Sequence, residues 1–239
     1  MKNFFVILGG MGTLATTNFL NDMNKIYRPE SDQEYLNYLV FNHASIPDRT
    51  AYILDKSKEN PFDYLKEDIL QAEKLKPDFF LITCNTAHYF YDELAQITKI
   101  PIINMVELVE KELEKLDKNE KIGLFATEGT IKSGLYDEVV RKSGLEIKEN
   151  SRDLQDKIND ILYKDVKEKG LVDLEKFHKI LDQFKKEGAS HVILGCTEAS
   201  YINYCDKDDS YPVIDSEKLL VNETVRYALS LRKKWKQEI

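Results

Sequence analysis

The sequence predicts an α/β protein made of two similar halves, each a parallel sheet flanked by helices. Two observations predict it. Short apolar runs, each followed by turn residues and then by an amphipathic stretch, recur along the 239 residues, which is the pattern of βα units. The pattern also repeats itself. Cys84 in "FLITCNTAHY" and Cys196 in "VILGCTEASY" lie 112 positions apart, with Ala87 and Ala199, and Tyr89 and Tyr201, in step. "PIINMVELV" from Pro101 matches "PVIDSEKLL" from Pro212 at an offset of 111, and "VILGGMGT" ending at Thr13 matches "IGLFATEGT" ending at Thr130 at 117. Three anchors in one order at a nearly constant offset imply duplication.

Taken in order, "FFVILGGMG" reads as a buried strand with a glycine-rich exit into a helix near "TTNFLNDMNKIY". "YLVFNHASIPDRT" reads as a strand followed by a loop. The helical spacing of Phe62, Leu65, Ile69, Ala72 and Leu75 is ended by Pro77. "FFLIT" leads into a helix at "CNTAHYFYDELAQI", and "IPIIN" into "MVELVEKELEKL". The pattern restarts at "EKIGLFATEGT", with helices expected over 136–142, 154–168 and 174–187. The strands "HVILG" and "YPVID" precede helices at "CTEASYI" and over 216–236, the last anchored by Trp235.

Composition bounds the function. The chain is 42% hydrophobic and 32% charged, with a net charge of −8, which argues against nucleic acid as a main partner, since phosphate binding needs a basic face. A few local cations would still suffice for a small acidic ligand. The first apolar run stops at Gly9 and Gly10, too short for a membrane span and without a small-residue cleavage site. Three cysteines and no export signal predict reduced thiols in the cytoplasm.

Ligands of open α/β sheets bind beyond the carboxyl ends of the strands. "GGMGT", "CNT", "ATEGT" and "CTE" all fall there, and two similar halves facing each other would put Cys84 and Cys196 on opposite walls of a cleft. A cysteine in the first turn of a helix meets free N–H groups and the positive dipole end, which favour thiolate. Two thiols across a cleft suit removal of a proton from one face of a carbon and its return to the other, since acid and base must exchange roles with direction.

"LGGMG", "IPDRT", "CNTAHYFYDEL", "GLFATEGTIKSGLY" and "GCTE" together resemble the cofactor-independent aspartate racemases of the aspartate/glutamate racemase superfamily, over about residues 5–220. The resemblance implies two pseudo-symmetric Rossmann-like (flavodoxin-like) α/β domains, over 1–98 plus 212–239 and over 99–211. It implies a two-base reaction on a dicarboxylic amino acid, no cofactor, no metal and a homodimer. Carried over by motif, Cys84 and Cys196 become the catalytic acid/bases, and Arg49 holds the side-chain carboxylate. Lys167, preferred over Lys164, assists Arg49. Asn85, Thr86, Thr127 and Thr197 surround the α-carboxylate and ammonium, Met11 and Gly12 form part of the floor, and Glu198 partners Cys196 or meets the ammonium. Thr13 stands where the family usually has proline, and "GCTE" replaces the "GCTH" of glutamate racemases, which disfavours that activity.

Other readings remain open. They are a maleate isomerase, a hydantoin or broad-specificity racemase, or a non-catalytic amino-acid-binding protein on the same scaffold. His88, four residues after Cys84, has no third metal ligand near it and reads as packed or hydrogen-bonded. His43 shares a loop with Arg49. His178 and His191 lack companions, Cys205 is an incidental thiol, and "GGMG" lacks the full dinucleotide fingerprint.

Overall fold

The computed structural model describes residues 1–208 and 210–237, the stretch 233–237 by backbone alone, so the Trp235 anchor lies outside the described side chains. The first half runs β1 (Phe4–Gly9), α1 (Thr13–Ile26), a 3₁₀ turn (Asp32–Glu34), β2 (Asn37–Asn42), α2 (Arg49–Leu54), α3 (Pro61–Glu73) and β3 (Phe80–Ile82). A 3₁₀ segment (Thr86–Phe90) then enters α4 (Tyr91–Ile97), followed by β4 (Ile102–Ile103) and α5 (Met105–Leu113). The second half runs β5 (Lys121–Phe125), α6 (Glu128–Ser133), α7 (Leu135–Lys142), β6 (Glu146–Ile147) and α8 (Arg152–Asn159), which continues as a π-helix (Asp160–Glu168). It closes with α9 (Leu174–Lys186), β7 (His191–Leu194), α10 (Thr197–Cys205), β8 (Val213–Asp215) and α11 (Ser216–Gln237).

Each half holds one four-stranded, wholly parallel sheet, in the orders β2-β1-β3-β4 and β6-β5-β7-β8. The two orders are the same, as the repeat requires. β1 is buried along its whole length, as a central parallel strand covered on both faces must be. Helix starts carry their own caps: Asp48, Asn60, Asn104, Thr127, Ser151 and Asp173 each accept a backbone N–H of the helix that follows.

The expected division at 98/99 and 211/212 misplaces two strands. β4 pairs with β3, and β8 pairs with β7, so each strand stays with its own half. The exchange comes one element later, in the helices. α5 buries Val106, Val109 and Leu113 with Ile122 and Leu124 of the second half, whereas α11 buries Leu220, Val221 and Val225 with Phe5 and Ile7 of the first. By packing, the halves are therefore 1–104 plus 216–232, and 105–215. A short strand follows its ladder partner, while a helix follows its apolar stripe.

Two glycines set the approach of the loops. Gly10 has φ +90, and a Cβ there would lie 2.5 Å from the His43 backbone, so the exits of β1 and β2 pack directly together. A Cβ at Gly129 would meet Thr50 Oγ1 at 2.6 Å, which lets α6 of one half close on α2 of the other. Among the described residues, no helix is long and apolar enough to cross a membrane.

Candidate active site

The carboxyl ends of the strands of both sheets converge on one small polar cavity. Its lining comprises Met11 after β1, Asp48, Arg49 and Thr50 at the start of α2, Cys84, Asn85 and Thr86 after β3, and Thr127 after β5. Lys167 of the π-helix and Cys196, Thr197 and Glu198 at the start of α10 complete it. Of the residues expected from the sequence, only Gly12 stays out of the lining. It lies close by, and a Cβ there would be 3.4 Å from Glu198 Oε1. Asp48 and Thr50 were missed, although both flank Arg49 in "IPDRT", and Tyr163 was missed as well.

Arg49 is buried and held by carbonyls. Its Nη2 donates to Met11 at 2.6 Å, and its Nη1 donates to Pro47 at 3.0 Å and Ile46 at 3.3 Å. Burial opposes its charge, but Cys84 and then Asp48 outweigh that, so its pKa is raised. A buried cation without a counter-anion costs several kcal/mol. Arg49 Nε and Asn85 Nδ2 are buried donors that have no partner among the described residues. Unmet donors of this kind cost about 1–3 kcal/mol each, which a bound carboxylate offsets.

Cys196 forms the N-cap position of α10, and its thiol donates to Glu198 Oε2 at 2.7 Å. The expectation of a lowered thiol pKa at a helix start fails here. Burial pushes the Cys196 pKa well up, Glu198 pushes it further, and Lys167 opposes them only in part. Lys167 Nζ lies 3.6 Å from Glu198 Oε1 and 4.6 Å from the centre of the Tyr163 ring. Although burial disfavours its charge, Glu198 and Cys196 raise the Lys167 pKa. Lys164 points elsewhere, paired with Asp160 at 2.7 Å, which settles which lysine reaches the cavity.

Hydroxyls join the two halves. Thr86 Oγ1 lies 2.8 Å from Thr130 and 3.2 Å from Thr127, while Tyr163 donates to Thr50 at 3.1 Å. Cys84 precedes a 3₁₀ segment rather than the first turn of an α-helix. His88 has both ring nitrogens engaged, with the Cys84 carbonyl at 2.9 Å and the Met105 amide at 3.1 Å. His43 pairs with Asp68 at 2.9 Å, away from the lining. His178 and His191 do have companions, Asp206 at 2.6 Å and Glu120. Cys205 is exposed.

The chain is similar to known proteins over most of its length. The family described as Asp/Glu/Hydantoin racemase matches over residues 8–224. The chain is 27% identical over 228 residues to the broad specificity amino-acid racemase RacX of Bacillus subtilis (strain 168), covering 92% of this chain and 95% of that relative. A glutamate racemase of Sulfurihydrogenibium sp. is 31% identical over 172 residues, 68% of this chain and 63% of the relative. Among solved structures, Picrophilus torridus aspartate racemase aligns with a TM-score of 0.78 at 25% identity over 94% of both chains. Glutamate racemase from Francisella tularensis subsp. tularensis SCHU S4, in complex with D-glutamate, shares the fold at a TM-score of 0.66 and 21% identity, over 97% of this chain and 81% of that one.

Proposed function

The chain belongs to the Asp/Glu/Hydantoin racemase family, and on that premise we propose that it interconverts L- and D-aspartate without a cofactor, using Cys84 and Cys196 as paired acid and base. The observation that carries this reading is that both cysteines, from equivalent loops of the duplicated halves, line one cavity together with two cations, Arg49 and Lys167. One sulfur, as thiolate, takes the hydrogen of Cα. The thiol on the opposite face then gives its proton to the resulting carbanion, and no atom is gained or lost overall. Cys196 suits the donor role before turnover, because its proton is held by a raised pKa and shared with Glu198. Glu198 in turn accepts that proton when Cys196 serves as base.

Arg49 and Lys167 bind the side-chain carboxylate. Asn85 Nδ2, with Thr86, Thr127 and Thr197, binds the α-carboxylate, where charge develops as the α-proton leaves. The expected homodimer belongs to the same reading and is checked by sedimentation. Cys84→Ser and Cys196→Ser should each lower aspartate racemisation, followed by circular dichroism, by at least about 10²-fold with the fold intact. Near wild-type turnover in either variant contradicts the two-thiol reaction.

The 27% identity to a broad-specificity racemase over nearly the whole chain supports a second reading, racemisation of several amino acids. Arg49→Ala separates the two. A dicarboxylate enzyme loses aspartate turnover through a raised KM, whereas a broad-specificity enzyme keeps its neutral substrates unaffected.

A further inference from the structure

We propose that the residue four positions after each thiol, His88 in one half and Ser200 in the other, is a positioning residue that fixes its cysteine against the helix exchanged between the halves. The proposal rests on the two-thiol reading for its kinetic consequences and on geometry for its existence.

In the first half the link is direct. A backbone N–H can only donate, so the Met105 amide at 3.1 Å requires a lone pair on His88 Nε2. The proton then sits on Nδ1, which donates to the Cys84 carbonyl at 2.9 Å. Met105 is the first residue of α5, so His88 satisfies one of the amides that a helix start leaves open. The ring is 2% exposed and stacks on Tyr91, with the centroids 6.1 Å apart. Cys84 is therefore tied to a helix whose apolar side packs in the other half.

In the second half the same position performs the same task with different atoms. The Ser200 amide donates to the Cys196 carbonyl at 3.1 Å, and its hydroxyl donates to Asp215 Oδ1 at 2.7 Å. Asp215 Oδ1 also accepts the amides of Glu217 and Lys218, both at 3.1 Å, in the first turn of α11. α11 is the other exchanged helix. Each thiol carbonyl is thus joined through its fourth successor to the start of the helix that its own half lends to the other. Relative motion of the halves would be transmitted to both sulfurs by these two links. Neither His88 nor Ser200 lines the cavity.

The test compares H88L, H88Q and S200A with the wild type. Glutamine can donate to the Cys84 carbonyl and accept from Met105 with one amide group, while leucine can do neither. Misplacing a reacting group by about 1 Å costs on the order of 100-fold. H88L should therefore lose kcat by about that factor with KM changed less than about threefold. H88Q should stay within a few-fold of wild type, and S200A, which keeps its backbone bond, should fall between them. Wild-type kcat in H88L and S200A overturns the proposal, as does an equal loss in H88L and H88Q.

Two readouts need no turnover. Alkylation of Cys84 by iodoacetamide should change in H88L and not in H88Q, and this holds or fails even if the wild type racemises nothing. Nitrogen NMR of the wild type at neutral pH should show His88 protonated at Nδ1. The opposite tautomer overturns the proposal, including in the case where H88L does not fold.

Discussion

Glu198 receives the Cys196 thiol proton at 2.7 Å while Lys167 approaches its other oxygen at 3.6 Å. The carboxylate is one of the causes that hold the Cys196 pKa up, second only to burial. Glu198→Gln removes that charge and keeps the shape, so the pH midpoint for alkylation of Cys196 should move down, not up. Racemisation in the same variant should fall by about 10²-fold or more, because the proton acceptor is gone. His88 gives a separate prediction. Burial depresses its pKa from 6.5 to about 4, so the folded state resists a proton that the unfolded chain accepts. Its neutral form supports the fold fully above about pH 6.5, and about 3 kcal/mol is lost as pH falls towards 4. Urea midpoints should drop across that window in the wild type, and less so in His88→Gln, which does not titrate. Cys84 and Cys196 stood out in the sequence because their settings repeat, whereas Arg49 came only from the resemblance carried by "IPDRT"; all three line the cavity. Tyr163 was not legible, because a tyrosine inside a helical stretch carries no local sign that it bonds to Thr50 and carries Lys167 over its ring.

At the level of elements, the strands were read from their apolar runs, and both sheets follow from the repeat. The misses share a physical cause. α2 spans six residues after Pro47 and Asp48, too few for a helical period to show, and β6 spans two. α6 spans only six residues and stops at Gly134, φ +72, so of the two successive helices only α7 showed a pattern. The division into halves was wrong at β4 and β8 because the repeat shows which segments are alike and not which ladder they join. Gly10 shows how an element boundary serves the site. Its φ of +90 and its contact with the His43 backbone bring the β2 exit, with Arg49, under Met11. Gly10→Ala places a side chain in a backbone region that costs about 1–2 kcal/mol before any clash. The variant should lose at least that much stability in urea and should raise KM for aspartate. Unchanged values would show that the loop does not depend on this approach.

For the whole molecule, duplication explains why one cavity has two sulfurs. Each half contributes the loop after its third strand, and the exchanged helices α5 and α11 lock the two copies face to face. The threonine cluster and the Tyr163–Thr50 bond close the seam between them. In the proposed reaction such an enclosure would keep water from the reacting carbon, so hydrogen leaving Cα would meet only the two thiols and the groups bound to them. The most direct measurement is proton NMR of L-aspartate with the wild-type protein in heavy water, read alongside its optical rotation. The account predicts that the Cα proton signal disappears as D-aspartate forms, with deuterium on Cα of every inverted molecule. Inversion that retains the original hydrogen, or no exchange at Cα at all, would contradict it.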